Sequence, residues 1–161
     1  MSRLIIGIDP GKNGGIAVLD DSGAVASVVK MPETPQDIVS HLREIQTRAD
    51  VFGDTVTCYL ESVGFGMPGQ SSSATAKFAR HCGHLEMALL TLGIPTNTVT
   101  PNRWEKSYQL GKSSEYTKTE WKNRLKAKAQ QLFPRLGKKI TLATCDALLL
   151  AEYGRKKEIA G

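Results

Sequence analysis

Three acidic residues stand where apolar segments of the sequence begin or end. Asp9 directly follows one apolar run, Glu61 ends another, and Asp146 begins a third. A carboxylate beside buried apolar residues is costly unless it is paired or bound to a metal ion. Oxygen ligands suit Mg²⁺ or Mn²⁺, and two such ions about 4 Å apart can stabilise both the attacking water and the leaving oxygen in phosphodiester hydrolysis. These three residues are therefore candidate catalytic metal ligands.

Each of the three acids also has a purely structural interpretation. Asp9 could belong to the turn formed by Pro10 and the glycines after it, and Glu61 could face solvent where the chain leaves a strand. Asp146 could interact with the positive N-terminal end of a helix dipole. The glycine-rich stretch after Asp9 could instead cradle a phosphate. The position of all three acids at the ends of elements favours the metal site.

The elements that would position these acids follow from the apolar patterns. Three short apolar runs separated by glycine-rich turns predict three antiparallel strands, and helices then alternate with two further strands. The predicted order is βββαβαβαα, with segments at 4–8, 16–20, 24–31, 32–52, 55–62, 71–93, 94–101, 118–134 and 144–157. This order predicts an α/β or α+β fold with a mixed sheet. If the first and fourth strands are neighbours, Asp9 and Glu61 emerge side by side, and Asp146 can approach from a helix packed on the sheet.

The composition is that of a globular domain with a basic second half. The chain has 161 residues, which fits a single domain over residues 1–161, and 40% of the residues are hydrophobic. No apolar run approaches the roughly 20 residues that cross a bilayer, so no membrane association is expected. The three cysteines are expected to be small buried residues rather than zinc ligands or disulfides. We expect a reducing compartment.

The net charge of +5 is concentrated in one part of the chain. Lysine and arginine far outnumber aspartate and glutamate between residues 77 and 139. A basic half of this kind indicates a polyanionic partner, and we expect nucleic acid. The alternative is a set of solvated helix faces with no ligand.

Several motifs together resemble the RuvC Holliday-junction resolvases of the RNase H-like, or retroviral integrase, superfamily. They are "IIGIDPG" with its glycine-rich hairpin, "LES" followed closely by an aromatic residue, and "CDALLLAEYG". The series "TPNRWEKSYQLG…TK…LFP" is also similar to the plastid resolvases of plants and to related phage and bacterial proteins. The resemblance runs over nearly the whole chain. It implies an RNase H-like fold, in which a five-stranded mixed sheet begins with three antiparallel hairpin strands and is flanked by helices.

The resemblance also implies an activity. Such a protein is a homodimeric endonuclease that resolves four-way (Holliday) DNA junctions by symmetrical cuts, with two Mg²⁺ or Mn²⁺ ions per active site. Asp9, Glu61 and Asp146 match the family's metal ligands. The expected location is the cytoplasm of a bacterial or phage-infected cell, or an organellar matrix or stroma. An ATPase of the actin and hexokinase kind begins with a similar hairpin, but it needs a duplicated domain for which 161 residues leave no room.

DNA contacts are assigned by the same resemblance. Phe65 stands close to the place of the family's aromatic wedge, which stacks on bases at the crossover; alternatively its ring packs on the core. The remaining residues expected to bind DNA are basic and would neutralise phosphates. They are Lys77, Arg80, Arg103, Lys106, Lys112, Lys118 and Lys122. Trp104 and Trp121 are expected to be packing anchors. A small and apolar stripe at Ala76, Ala79, Gly83 and Met87 could be a dimer face or a core face.

One position departs from the family's pattern. A fourth acidic or histidine ligand is usual three residues before the helix aspartate, and here that position is Ala143. Glu152 cannot replace it, because six residues along a helix amount to about 240° of rotation. The enzyme could work with three acids, another acid or the DNA could complete the coordination, or the chain could be a catalytically impaired junction-binding protein. A related nuclease acting on RNA–DNA hybrids or flaps remains a further alternative.

Overall fold

The fold is a five-stranded mixed sheet with helices on both faces. A computed structural model describes residues 1–161. The strands are β1 (Arg3–Asp9), β2 (Gly15–Asp20), β3 (Val25–Lys30), β4 (Thr55–Glu61) and β5 (Thr96–Val99). The helices are α1 (Pro35–Phe52), α2 (Ser72–Thr91), α3 (Pro101–Lys106), α4 (Lys118–Leu132) and α5 (Cys145–Ala160), with short 3-10 turns at Ser113–Glu115 and Pro134–Lys139. None of the helices combines the length and apolarity that crossing a membrane requires.

The strand order across the sheet is β3-β2-β1-β4-β5. The first three strands pair antiparallel, whereas β4 pairs parallel with β1 and β5 pairs parallel with β4. This arrangement confirms the predicted mixed sheet that begins with three hairpin strands. Because Ile8 lies opposite Leu60 in the parallel β1–β4 pair, Asp9 and Glu61 follow at the same edge of the sheet.

Two apolar cores lie on opposite faces of the sheet. Successive residues of a strand point to opposite faces, so Ile5 packs with α3, α4 and α5 while Ile6 packs with α1 and α2. Helix α5 is almost entirely enclosed, because every residue from Cys145 to Gly154 is buried.

Gly7 allows α5 to lie directly on β1. A Cβ atom at this position would overlap the carbonyl oxygen of Ala147 and the backbone nitrogen of Ala151. Only a residue without a side chain permits so close an approach of helix and strand. The contact fixes the height of α5 above β1, and therefore the height of Asp146 relative to the end of that strand.

The helix starts follow from capping side chains. Thr34 accepts a hydrogen bond from the backbone N–H of Asp37 at 3.1 Å and begins α1, as its Thr-Pro sequence predicts. Thr117 and Glu120 form a reciprocal capping box at the start of α4. The capping box determines where α4 begins, and therefore which face of the helix carries its lysines.

Helix α3 is absent from the predicted order. The sequence interpretation assigns residues 94–101 to a strand and the following basic segment to a loop, but β5 ends at Val99 and Pro101 begins a helix. Proline is well suited to the first position of a helix because it has no N–H to leave unpaired. The difference matters for function because α3 carries Trp104 and Glu105.

Candidate active site

Asp9 is a buried carboxylate at the end of β1. It is only 8% exposed. Burial raises the pKa of Asp9 well above its usual value, and the nearby charges of Asp146 and Glu61 raise it further. Only the charge of Lys122 lowers this pKa, and the carboxylate of Asp9 accepts no hydrogen bond. The electrostatic coupling shows that the three predicted acids lie near one another.

Glu61 is held by a hydrogen bond from the opposite side of the site. The indole Nε1 of Trp104 donates to Oε2 of Glu61 at 2.7 Å. Burial raises the pKa of Glu61 to about 7 although this hydrogen bond lowers it, and Asp146 and Glu105 raise it as well. Trp104 is fully buried, so it is a packing anchor as expected, and it also orients the carboxylate.

Asp146 lies in the first turn of α5 and forms an ion pair with Lys122 of α4. Burial alone would lower the pKa of Lys122, but the charge and the hydrogen bond of Asp146 outweigh it and the pKa is raised, with Asp9 contributing in the same direction. Lys122 therefore lies at the acidic centre. A protonated amine between carboxylates partly offsets their mutual repulsion.

The oxygen donors of this site suit a divalent metal ion, but the side chains are not arranged to bind one. Carboxylate oxygens suit a hard divalent cation, and the unpartnered Asp9 is the kind of group that such an ion would satisfy. However, no three acidic, histidine or cysteine side chains come close enough to share one ion as they stand. Lys122 contacts Oδ2 of Asp146, whereas Oδ1 is approached only by Cys145 Sγ at 3.4 Å, so an ion bound at Oδ2 would compete with the Lys122 ammonium.

A cleft of about 860 Å³ opens beside these acids. Among the three, only Asp9 lines it, together with residues of the β1–β2 turn, Lys30, Phe78, Lys122 and the segment 141–143. An adjoining hollow of about 570 Å³ shares Gly11, Lys12, Lys30 and Phe78 with the cleft and extends to Lys77. The two form one basic groove leading to Asp9.

The predicted DNA-binding residues fall into two groups. Lys77 on α2 lines the groove, and Arg80 on the same helix lines a smaller hollow of about 200 Å³ that also includes Lys77. Arg103 and Lys106 on α3, Lys112 on the connection and Lys118 at the start of α4 are exposed, and none of them forms an ion pair with an acid. Phe65 is 54% exposed and lies outside the core, with its ring edge-on to Phe78 at 5.9 Å between ring centroids. The alternative in which its ring packs on the core is therefore not what the structure contains.

Three residues of the site were missed by the sequence interpretation. Lys12 and Lys30 lie outside the basic stretch of residues 77–139, yet they line the cleft. Gly15 pairs with both Asp9 and Lys30, so the register of the first hairpins could have placed Lys30 at this edge of the sheet. Glu105 was missed because α3 was not predicted. Its charge acts on Glu61 and on the acidic centre.

The acid that the resemblance predicts near position 143 is not supplied by Glu152 of α5. Ala143 lines the cleft beside Thr141 and Leu142. Glu152 is instead engaged by Arg155, whose Nε and Nη2 donate to its two oxygens at 2.7 and 2.8 Å. This agrees with the prediction from helix geometry that Glu152 cannot serve the site.

The architecture is similar to that of solved RuvC structures. No family model and no curated protein sequence matches this chain. A structure of Thermus thermophilus RuvC in complex with a Holliday junction substrate matches with a TM-score of 0.60 and 17% sequence identity, covering 98% of this chain and 96% of that chain. A second Thermus thermophilus RuvC structure matches with a TM-score of 0.60 and 16% identity over 99% of this chain and 97% of the other.

These matches define the class of the fold. The chain has a RuvC-like fold of the RNase H-like type, spanning nearly the full length of the solved RuvC chains. The expected resemblance is confirmed at the level of the fold.

Proposed function

We propose that this protein is a divalent-metal-dependent endonuclease that resolves four-way DNA junctions. One observation carries the proposal: Asp9 and Glu61 end adjacent parallel strands, and Asp146 of α5 is electrostatically coupled to both. A RuvC-like fold supports it, since one matching RuvC structure is a complex with a Holliday junction substrate. Fold alone does not fix chemistry, so the site is the stronger argument.

The acids would hold the metal ions, two per active site. Asp9, Glu61 and Asp146 supply the oxygen donors that Mg²⁺ or Mn²⁺ prefers, and bound ions would activate water and stabilise charge on the leaving oxygen. Trp104 keeps Glu61 oriented through its 2.7 Å hydrogen bond. Lys122 pairs with Asp146 and partly offsets the repulsion between the carboxylates in the free protein, and because it lines the cleft it would contact a phosphate of bound DNA.

The basic surface would position the junction. Lys12, Lys30 and Lys77 line the groove toward Asp9 and would contact backbone phosphates. Exposed lysines outside the groove, including Lys112 and Lys118, would bind a neighbouring DNA strand of the junction. The exposed ring of Phe65 stands near Phe78 at the groove and would stack on unpaired bases at the crossover.

Symmetrical cleavage requires two active sites, and we propose a homodimer. The stripe that was expected to be either a dimer face or a core face is exposed at Ala76, Gly83 and Met87, so it is not a core face. Leu90 continues it, and Met87 and Leu90 are 60% and 73% exposed. An apolar surface on α2 of this kind is a suitable subunit contact.

A cleavage assay tests the activity. End-labelled four-way junction, flap, RNA–DNA hybrid and plain duplex are incubated with the protein in Mg²⁺, in Mn²⁺ and in EDTA. We expect paired, symmetrical nicks in the junction that depend on the metal ion. Preferred cleavage of the hybrid or flap by a monomer would contradict the proposal in favour of a related nuclease.

A second function is favoured by two observations. Ala143 removes a usual ligand, and no three acids stand within reach of one ion. A catalytically impaired junction-binding protein would share the basic groove and would bind the junction tightly without nicking it. The same assay, combined with a gel-shift measurement, separates this alternative from the nuclease.

A further inference from the structure

The hollow of about 570 Å³ that adjoins the cleft has a lining of its own. It lies where the β1–β2 turn, the connection from β3 to α1 and the first half of α2 meet. Gly11, Lys12, Lys30 and Phe78 border both the hollow and the cleft that contains Asp9. The volume of the hollow falls within the range of about 300–1,000 Å³ that is usual for small-molecule sites. A nucleotide with its phosphate in the cleft can therefore place its base in the hollow.

Main-chain contacts hold the walls of the hollow in place. The N–H of Met31 donates to the carbonyl oxygen of Gly14 at 2.9 Å, and the N–H of Gly14 donates to the carbonyl oxygen of Gly11 at 3.0 Å. These hydrogen bonds connect the segment after β3 to the β1–β2 turn. Gly11 has a φ of 113°, and a Cβ atom there would lie 3.4 Å from Cε2 of Phe78, so the ring of Phe78 packs directly on the turn. The shape of the hollow is therefore fixed by the folded chain itself.

The lining of the hollow combines apolar side chains with lysines. Met31, Pro32 and Phe78 supply apolar surface, and Phe78 is partly exposed. Lys30 and Lys77 are exposed and take part in none of the three ion pairs of the protein. An aromatic ring offers a stacking surface to any nucleobase, and unpaired lysines suit the phosphates on either side of it. This combination of surfaces matches a nucleotide better than a free phosphate or an aliphatic chain, each of which would use only one of them.

Glu33 is the one acid in the lining of the hollow. It is exposed and forms no ion pair, although Lys30 and Lys77 line the same hollow. A carboxylate repels phosphates, but it accepts hydrogen bonds from the amino group at the edge of cytosine. Adenine and guanine also carry an amino group, whereas thymine carries none. Glu33 therefore supplies a means of distinguishing the bases that enter the hollow.

We infer that the hollow binds one nucleobase from beside the crossover, which stacks on Phe78, and that Glu33 favours a base with an amino group. The inference rests on the proposed binding of DNA junctions, but it requires neither a metal ion nor cleavage. The site is separate from the exposed ring of Phe65, which does not line the hollow. The affinity for a junction then depends on the identity of one nucleotide as well as on the branched shape of the DNA.

Fluorescence anisotropy in EDTA tests the stacking. Four-way junctions carry an abasic residue in turn at each nucleotide beside the crossover. We expect one position at which the abasic residue weakens binding by the wild type about tenfold, the loss of one stacked base. Phe78→Leu removes the ring and should reduce that loss to less than twofold. Phe65→Leu is the matched control, because it also breaks the contact between the two rings, and at this position it should retain the tenfold loss.

A second measurement tests the selection by Glu33. At the position found by the abasic scan, the wild type should bind a junction with cytosine about fivefold more tightly than one with thymine. Glu33→Gln can donate as well as accept a hydrogen bond, so it should reduce this preference to less than twofold. Glu44→Gln, which removes an exposed acid of α1 outside the lining, should leave the preference unchanged.

The other results overturn the inference. Junction binding without a position-specific abasic loss would exclude a bound base, and a loss that disappears in Phe65→Leu would assign the base to Phe65 instead. A base preference that survives Glu33→Gln would exclude the selection by Glu33. Thermal melting of each variant controls for folding. If the hollow binds a base but the junction is never cut, the nuclease function fails and the hollow remains a binding site. If the wild type binds the junction no more tightly than plain duplex, both fail.

Discussion

Trp104 of α3 donates a 2.7 Å hydrogen bond to the carboxylate of Glu61 at the end of β4. The indole is fully buried, so a short helix holds a rigid donor against a candidate metal ligand. A buried carboxylate that loses such a donor is either protonated or reoriented. The contact therefore ties the packing of α3 to the state of the active site.

Replacement of Trp104 by phenylalanine removes this donor and retains an aromatic ring. We expect the free energy of unfolding to fall by about 1–3 kcal/mol, because Glu61 is left unpaired and the ring is smaller. Metal-dependent cleavage should fall as well. Urea denaturation and Mn²⁺ titration measure the two effects. Trp121→Phe is the matched control, since its indole donates to Glu105 and should leave Glu61 in place.

Asparagine at Asp9 or Asp146 should abolish cleavage and leave junction binding intact or slightly tighter. Each substitution removes a negative oxygen ligand without altering the basic groove, and it also reduces repulsion of the DNA phosphates. Single-turnover cleavage and gel-shift measurements on the same four-way junction check this. The exposed Asp50 of α1 provides a control, and Asp50→Asn should change neither cleavage nor binding. Cleavage at the wild-type rate by both site variants would refute the assignment of the acids.

The metal-free protein should lose stability as the pH rises from about 4.5, the ordinary value for glutamate, through about 7, the pKa of Glu61. Burial raises that pKa, so the folded chain binds the proton more tightly than the unfolded chain does in this interval. The free energy of unfolding must therefore decrease with rising pH, by on the order of 2 kcal/mol for this group.

Melting curves in EDTA between pH 4.5 and 8, for the wild type and Glu61→Gln, isolate this contribution from that of the histidines. The difference in the free energy of unfolding between the wild type and Glu61→Gln should change in that interval, because the stability of the variant is less sensitive to pH. Saturating Mg²⁺ should reduce the sensitivity of the wild type. An unchanged difference across the interval would show that the Glu61 carboxyl is not perturbed by folding.

The lysines that line the groove and the exposed lysines at 112 and 118 should contribute to DNA binding through phosphates. Replacement of Lys12 and Lys30 by alanine, and separately of Lys112 and Lys118, should weaken binding to any junction sequence. Each pair should reduce the slope of log affinity against log salt by about two, or about one per lysine. Fluorescence anisotropy at several salt concentrations measures both quantities.

Arg48 offers a matched control for these lysines. It lies on α1 near Ser2 and Asp54, at the opposite edge of the sheet from Asp9. Its replacement by alanine should change neither the affinity nor the salt slope. A salt slope that did not respond to the loss of Lys12 and Lys30 would exclude the groove as the path of the DNA.

Most of the fold could be predicted because its signals are local. Glycine-rich turns between apolar runs identify the three hairpin strands, and Thr34 with Pro35 marks the start of α1. Helix α3 lacks such a signal: it has six residues, and Trp104 is its one buried residue, so it shows no periodicity. Its proline was interpreted as the end of a strand, although the same residue is suited to the first position of a helix.

The residues of the site could be predicted from the sequence only in part, because some of them are brought there by tertiary contacts. Asp9, Glu61 and Asp146 stand at element ends, where a sequence pattern can single them out. Lys30 comes to the same edge through the register of two hairpins, and Glu105 depends on a hydrogen bond from Trp121, 16 residues away. Such contacts are set by tertiary packing and leave no periodic trace in the chain.

The direct contact between α5 and β1 at Gly7 divides the acidic cluster of Asp9, Glu61 and Asp146 into two halves with different tolerance to change. The separation of the Asp9 and Asp146 backbones is dictated by main-chain atoms that touch, so a single added methyl group at Gly7 would push α5 away from β1. Glu61, Glu105 and Lys122 are instead placed by side chains that can rearrange. Variation in metal preference or in the number of acids among similar proteins should therefore accumulate on the adjustable half.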